Sequence, residues 1–223
     1  MNFFCGTVEL SSMPGESHQI YGGQYVSVDA YIPDRNKDFT LRLLCYDRTN
    51  PKLEAFMKME KGQRVLVGGT FKFPGDLNAP WDLLVHTLEP NISPDTYMNQ
   101  AMLGGAYLTK REISQNKDGQ TYQKKLGIEP GNEEESSLIT MEFGESRLKK
   151  LQAIESARGN QISVVGGLRA WKPDDSDRLY RYVRGVDFAA RSNGGKATQA
   201  APKTGSSVGN TAAEEDPLED WAS

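Results

Sequence analysis

The chain has 223 residues and a net charge of −4 at neutral pH, and its mean hydropathy is −0.59. No apolar run approaches the roughly 20 residues that a membrane-spanning helix needs, and the first residues lack the basic and apolar regions of a secretory signal. The two cysteines, Cys5 and Cys45, are not spaced as a metal-ligand pair. We therefore expect reduced thiols, no metal site and a cytoplasmic protein.

The first part of the chain is predicted to form strands around one short helix. β-prone and partly alternating residues predict strands at 25–32, 39–46, 65–73 and 81–88. Leu53, Phe56 and Met57 have the spacing of one helix face, and this helix is expected to begin near Pro51.

The same order of elements is predicted in the second part. Strands are expected at 138–143, 162–171 and 179–188. Leu148, Leu151 and Ile154 indicate a helix between the first two of these strands. With one further strand at the start of the first part and two at the start of the second, the order is three strands, a helix and two strands, which is typical of an oligonucleotide-binding (OB) barrel.

A seven-residue segment supports this duplication. Residues 63–69, QRVLVGG, recur 98 residues later at 161–167 as QISVVGG. The same spacing pairs Phe73 with Trp171, and a spacing of 97 pairs Tyr46 with Phe143. We therefore predict a mainly β protein of two tandem five-stranded Greek-key OB-fold barrels, each with one short helix.

The domain bounds follow from this repeat and from a change in composition near residue 191. The predicted parts are a first barrel at 1–92, a linker at 93–100, a second barrel at 101–190, and a tail at 191–223. The tail is rich in Gly, Ser, Ala and Thr and is acidic only at its end, so we expect it to be disordered.

The acidic end of the tail contains two large apolar residues. Asp216 precedes a proline, a pattern that begins helices. Leu218 and Trp221 would then lie on one side of a helical turn, with Asp220 between them in sequence. One expectation is that this segment binds a partner protein in an apolar pocket with a basic rim, and the alternative is a solvated tail.

Motifs of catalysis are missing from the sequence. It has no Gly-rich phosphate loop, no His-Glu-x-x-His motif and no Cys-x-x-Cys motif. Its two histidines, His18 and His86, both lie in the first repeat, so a histidine-based reaction would not be duplicated. We predict a binding protein that is not an enzyme and needs no cofactor.

The charge balance limits the kind of polyanion contact that the chain can make. Residues 1–92 carry 9 basic and 11 acidic residues, and residues 93–190 carry 14 of each. Neither repeat is broadly basic, so binding to a nucleic acid would use a local groove and not a whole charged face.

One segment resembles the bacterial single-stranded DNA-binding protein family. It consists of Phe143-Gly144, a helix with Leu148 and Leu151, and then residues 159–169, GNQISVVGGLR. The flexible linker and acidic end are also similar to that family, although the family's terminal Pro-Phe is replaced here by Ala-Ser. The resemblance implies an OB fold, binding of single-stranded DNA in replication, repair and recombination, tail-mediated recruitment of replication or repair proteins, and a homodimer with four barrels.

Binding of single strands without sequence preference needs aromatic rings for the bases and cations for the phosphates. Trp171 is the strongest stacking candidate, since alternation places Arg169 on its face and Lys172 follows it. The resemblance implies stacking by Tyr46 and Phe143. A core position is the alternative for each of the four rings Trp171, Tyr46, Phe143 and Phe73. The remaining DNA-binding candidates are Phe73, Lys72, Trp81, Arg181, Tyr182, Lys124 and Arg42.

Two other functions remain open from the sequence. Tandem barrels are also compatible with a protein-interaction scaffold or with an RNA-binding protein, because a fold does not determine its ligand.

Overall fold

The computed structural model describes most of the two repeats. The described residues are 2–33, 39–73, 79–108, 112–115, 121–124, 127–129, 140–144, 147, 161–172 and 179–191. All their strands lie in one compact unit, Met1–Asn193. No helix in these ranges is long and apolar enough to cross a membrane. The predicted helix at 148–154 and the tail beyond residue 191 lie outside the described residues.

The predicted elements of the first half are present, with one additional short strand. The structure contains β1 Asn2–Leu10, β2 Ser17–Ile20, β3 Gly23–Tyr31, β4 Thr40–Tyr46, α1 Pro51–Met57, β5 Arg64–Lys72 and β6 Trp81–Glu89. Helix α1 begins at a proline, and the side-chain oxygen of Asn50 accepts a hydrogen bond from the backbone N–H of Leu53 at 2.9 Å. The unpredicted strand, β2, forms a hairpin with β3.

The strand pairing of the first half forms a closed circuit. Strand β1 pairs with β3 and β5, β5 pairs with β6, and β4 pairs with β3, all antiparallel. The remaining pair, β4 with β6, is parallel. Phe4, Val67 and Leu43 point into this circuit and are almost completely buried, as are their inward-facing neighbours. The side chains that alternate with them therefore form an outer surface.

The second half repeats these pairings. It contains β7 Asn99–Leu108, β8 Glu112–Gln115, β9 Thr121–Lys124, β10 Gly127–Glu129, β11 Thr140–Gly144, β12 Gln161–Trp171 and β13 Tyr180–Arg191. Strand β12 pairs with β7 and β13, β11 runs parallel to β13, and β10 pairs with β7. Strand β1 pairs antiparallel with β7 and so joins the halves. Because β7 begins at Asn99, the predicted linker at 93–100 overlaps its first two residues.

The register of the two halves corrects the sequence repeat by one residue. A β-bulge lies between Gly68 and Gly69 in β5 and between Val165 and Gly166 in β12. Gly69 therefore corresponds to Gly166, 97 residues away. The sequence repeat at a spacing of 98 had paired Gly69 with Gly167, which is one residue out of the structural register. The buried residues agree, since Val67 corresponds to the buried Val164. Side chains alternate between faces, so a displacement of one would exchange the core and the surface.

Both aromatic equivalences from the sequence are consequently wrong. Strand β11 pairs with β13 as β4 pairs with β6, which places Phe143 at the position of Cys45 and Gly144 at the position of Tyr46. On β12 the same displacement places Ala170, not Trp171, at the position of Phe73.

The glycines beside the bulges approach the neighbouring strand closely. A methyl group on Gly69 would lie 2.9 Å from the carbonyl carbon of Leu84, and one on Gly166 would lie 2.8 Å from that of Arg184. The obstacle is backbone in both cases, so a side chain cannot be accommodated by a rotamer change. A methyl group on Gly144 would meet no atom within 4 Å.

We expect Gly69→Ala and Gly166→Ala each to lower the free energy of unfolding by about 1–3 kcal/mol, because the added methyl forces the strands apart. Gly144→Ala is the matched control and should change it by no more than about 0.5 kcal/mol. Urea denaturation followed by circular dichroism measures these differences. Wild-type stability of both bulge variants would contradict the assigned register.

Candidate nucleic-acid interface

Two exposed rings lie at the end of the β12–β13 hairpin. Trp171 and Tyr180 are register partners on the two strands, and their ring centroids are 5.6 Å apart with an interplanar angle of 32°. Trp171 is 51% exposed and Tyr180 is 40% exposed. The next inward-facing residues, Leu168 and Val183, are buried. The rings therefore lie on the outer side, as the alternation around Trp171 predicts.

Cationic side chains flank this pair. Arg169 is two residues before Trp171 on the same side of β12, and its register partner on β13 is Tyr182. Both are half-buried, whereas Lys172 and Arg184 are exposed. We refer to Arg169, Trp171, Tyr180, Tyr182 and Arg184 as the β12–β13 outer face. It combines flat aromatic surface with positive charge, the combination that binds bases and phosphates.

The outer face is not purely cationic. Glu142 on β11 is the register neighbour of Arg184, and it is half-buried. A carboxylate at this position reduces the local positive potential beside Arg184. The positive charge is therefore concentrated near Arg169 and Lys172, next to the exposed indole.

Arg181 alternates with Tyr180 and Tyr182 and points elsewhere. Its guanidinium donates hydrogen bonds to the Thr40 hydroxyl oxygen at 2.9 Å and to the Ala79 carbonyl at 3.0 Å. Both acceptors belong to the first half. The structure thus uses Arg181, a DNA-binding candidate from the sequence, to connect the two halves.

Three aromatic candidates lie in or against the core. Phe143 is completely buried and its ring contacts that of Phe188. Trp81 is 8% exposed and makes an edge contact with Phe73 at a centroid distance of 4.9 Å, and Phe73 is only partly buried against the core. For Phe143 the structure shows the core alternative that the sequence left open.

The first half has its own exposed ring pair. Tyr46 on β4 is 39% exposed, and its register partner Tyr25 on β3 makes a T-shaped contact at 5.1 Å. The Arg48 guanidinium lies 4.5 Å from the Tyr46 ring centroid, within the range of a cation–π interaction. A side chain on Gly23 would lie 2.9 Å from both rings, so the glycine leaves room for the pair.

A second arrangement in the first half surrounds a buried carboxylate. Asp82 on β6 is completely buried and accepts two hydrogen bonds from Arg42, both at 2.7 Å, and one from the Tyr21 hydroxyl at 2.6 Å. The exposed Lys72 is the register partner of Asp82, and its ammonium lies 6.0 Å from the Tyr21 ring centroid. We call Tyr21, Arg42, Lys72 and Asp82 the Tyr21 cluster.

The electrostatics of the Tyr21 cluster raise the pKa values of Tyr21 and Arg42. Burial raises the pKa of the Tyr21 hydroxyl well above its usual value, and the hydrogen bond to Asp82 adds to this shift. The same carboxylate raises the pKa of Arg42 through its hydrogen bonds. Arg42 and Lys72 were candidates from the sequence, whereas Tyr21 was missed.

A related arrangement lies on another part of the first half. The Tyr31 hydroxyl donates to Glu9, and Arg64 forms a 3.2 Å ion pair with that carboxylate. The hydrogen bond to Glu9 raises the pKa of Tyr31 to about 12. Tyr31 is half-buried, so this second tyrosine–carboxylate–arginine set offers less ring surface than the Tyr21 cluster.

Five candidates have no described side chain. Lys124 ends strand β9, but the structure describes only its backbone. The four tail candidates, Asp216, Leu218, Asp220 and Trp221, lie outside the described residues.

Comparison with solved structures shows the same fold in a known protein. The wild-type single-stranded DNA-binding protein from Thermus aquaticus has a TM-score of 0.60 with 17% sequence identity, over 91% of this chain and 98% of that chain. A deletion mutant of that protein gives 0.60 with 16% identity, over 89% and 98%. No protein-family model and no curated protein matches the chain significantly. At this identity the likeness confirms the mainly β, OB-like fold and no more.

Proposed function

We propose that the chain binds single-stranded DNA without sequence preference, using the β12–β13 outer face. The observation that carries this proposal is the exposed Trp171–Tyr180 pair with Arg169 and Lys172 beside it. Stacking on an aromatic ring contributes about 1–3 kcal/mol per base and needs no particular base, since each base has a flat face. The shared fold with the Thermus aquaticus single-stranded DNA-binding protein supports the choice of ligand.

A binding surface in each half of the chain would suit a protein that covers single-stranded DNA. We propose tandem OB-fold barrels at 1–92 and 101–190, joined by 93–100. We also propose a disordered tail, which starts after Arg191 and not at it, because Arg191 is the last residue of β13 and pairs with Gln161. The closed pairing circuit of the first half and the matching partners in the second support this division. In the first half the rings of Tyr46 and Tyr25 take the stacking role. The protein acts by covering DNA during replication, repair and recombination, and it catalyses no reaction.

The first test is a tryptophan-fluorescence titration with poly(dT). DNA stacked on Trp171 should quench the emission, and added salt should weaken binding because phosphate contacts release counterions. Trp171→Ala is expected to weaken binding by about 1–3 kcal/mol, measured by anisotropy of a labelled oligonucleotide. Trp81→Phe is the matched control, since it removes a buried indole and should leave both quenching and affinity intact.

Unchanged affinity of Trp171→Ala would remove this ring from the interface. Poly(U) in the same titration separates the DNA-binding proposal from RNA binding. The absence of any response to either polymer at micromolar protein would favour a protein-interaction scaffold.

We also propose that the acidic end recruits replication or repair proteins through Asp216, Leu218, Asp220 and Trp221. Its sequence pattern supports one helical turn with two apolar side chains on one side. In the absence of a partner, this negative segment competes with DNA for the cationic surface.

Deletion of residues 214–223 should therefore increase the affinity for oligo(dT) at low salt, and the difference should shrink as salt screens the tail. Anisotropy titrations of the full-length and shortened chains at two salt concentrations measure this effect. Equal affinities at low salt would exclude the competition.

We further propose a homodimer. Phe3, Met102 and Val165 are successive register partners across β1, β7 and β12, on the side opposite the buried core residues. Met102 is 39% exposed, and the other two are half-buried. Two copies of this apolar stripe can face each other across a twofold axis and remove it from water.

Sedimentation equilibrium should give twice the chain mass of 24.7 kDa. Met102→Glu places a charge at the twofold contact and should shift the protein to the monomer. Met13→Glu is the matched control, because Met13 is 64% exposed outside the stripe. A monomeric wild type, or a Met102→Glu variant that stays dimeric, would contradict this interface.

A further inference from the structure

Tyr21 occupies a backbone conformation that side chains rarely adopt. It lies in the turn between β2 and β3 with φ of 50°, and it is the only non-glycine residue with positive φ in the part of the chain that the structure describes. For a bulky residue this region is uncommon and costs on the order of 1–3 kcal/mol. Gly22 follows with φ of 75°. A glycine at position 21 would adopt this conformation without strain. We therefore expect the tyrosine side chain to make an interaction that offsets the cost.

The orientation of the ring is the reverse of the usual one. A tyrosine commonly buries its ring and leaves the hydroxyl in water. Here the hydroxyl is bonded to the completely buried Asp82, whereas 51% of the residue is exposed. The hydrogen bond therefore fixes the direction of an exposed ring, and less conformational entropy is lost when a ligand stacks on it.

Positive charge is adjacent to this fixed ring. The exposed Lys72 ammonium is 6.0 Å from the ring centroid. The Arg42 side chain holds Asp82 with two hydrogen bonds and is still 38% exposed. Asp29, the register partner of Arg42, is a second carboxylate near that guanidinium. The positive group beside the flat surface of the Tyr21 ring is therefore the Lys72 ammonium.

The two halves differ at these positions. By strand register, Arg169 corresponds to Lys72, Tyr182 to Asp82, and Thr140 to Arg42. The second half thus carries an aromatic ring on the strand itself. In the first half the carboxylate of Asp82 takes that place, and the ring of Tyr21, from the turn between β2 and β3, is hydrogen-bonded to it through its hydroxyl.

We propose that the Tyr21 cluster is a nucleotide subsite of the first half. In this subsite one base of the single-stranded DNA stacks on the Tyr21 ring, and the phosphate of the same nucleotide binds Lys72. Asp82 and Arg42 are positioning residues, because they act by holding the tyrosine hydroxyl. This inference rests on the proposed binding of single-stranded DNA and assigns one contact of it.

Photocrosslinking of an oligonucleotide that contains 5-iododeoxyuridine, followed by peptide mass spectrometry, tests the contact directly. We expect a crosslink at Tyr21 that Tyr21→Ala abolishes. In anisotropy titrations Tyr21→Ala should bind oligo(dT) about 5- to 100-fold more weakly. Tyr21→Phe retains the ring but loses the hydrogen bond to Asp82, so its affinity should fall less than that of Tyr21→Ala.

Tyr31→Phe is the matched control, since it removes the same kind of hydroxyl–carboxylate bond, at Glu9, and should leave affinity unchanged. Thermal melting monitors folding of each variant, and the wild-type crosslink decides the question even if Tyr21→Ala fails to fold. Wild-type protein that crosslinks at Trp171 but not at Tyr21 would overturn this inference alone. Wild-type protein that binds no oligonucleotide would overturn the proposed function and the inference with it.

Discussion

Side chains alternate between two faces along every strand of this sheet, and both the core and the proposed interface depend on that alternation. The inward set, exemplified by Leu43 and Val183, is buried and holds the strands in register. The outward-facing side chains do not fill the core, so aromatic rings and cations can occupy these positions. The bulges beside Gly69 and Gly166 shift this alternation once in each half and so decide which residues face outward.

The same fold presents its rings differently in the two halves. The second half places Trp171 and Tyr180 together at the end of a hairpin, whereas the first half places Tyr46 beside Tyr25 and adds Tyr21 from a turn. Identical strand order with different outer residues gives one chain two surfaces of unlike geometry. Since stacking tolerates any base, the two proposed DNA-binding surfaces need not match each other.

Much of the fold could be predicted from sequence because its signals are local. β-prone runs and one capped helix located the main elements of the first half, and alternation around Trp171 placed its ring outward. The register was predicted one residue out, because the match between residues 63–69 and 161–167 at a spacing of 98 has more identities than the structural correspondence at a spacing of 97. Tyr21 was missed because its proposed role depends on a hydrogen bond to Asp82, which is distant in sequence. The sequence could not decide whether Phe143 is exposed for stacking or buried in the core, because an aromatic residue at the end of a strand is compatible with both positions.

The most direct test of the central claim is ¹⁹F NMR of protein labelled with fluorotryptophan, titrated with oligo(dT). If the outward-facing rings bind the strand, the Trp171 resonance should shift or broaden on addition of DNA, and that of the buried Trp81 should stay unchanged. A Trp171 resonance that does not respond while DNA is bound would contradict the account.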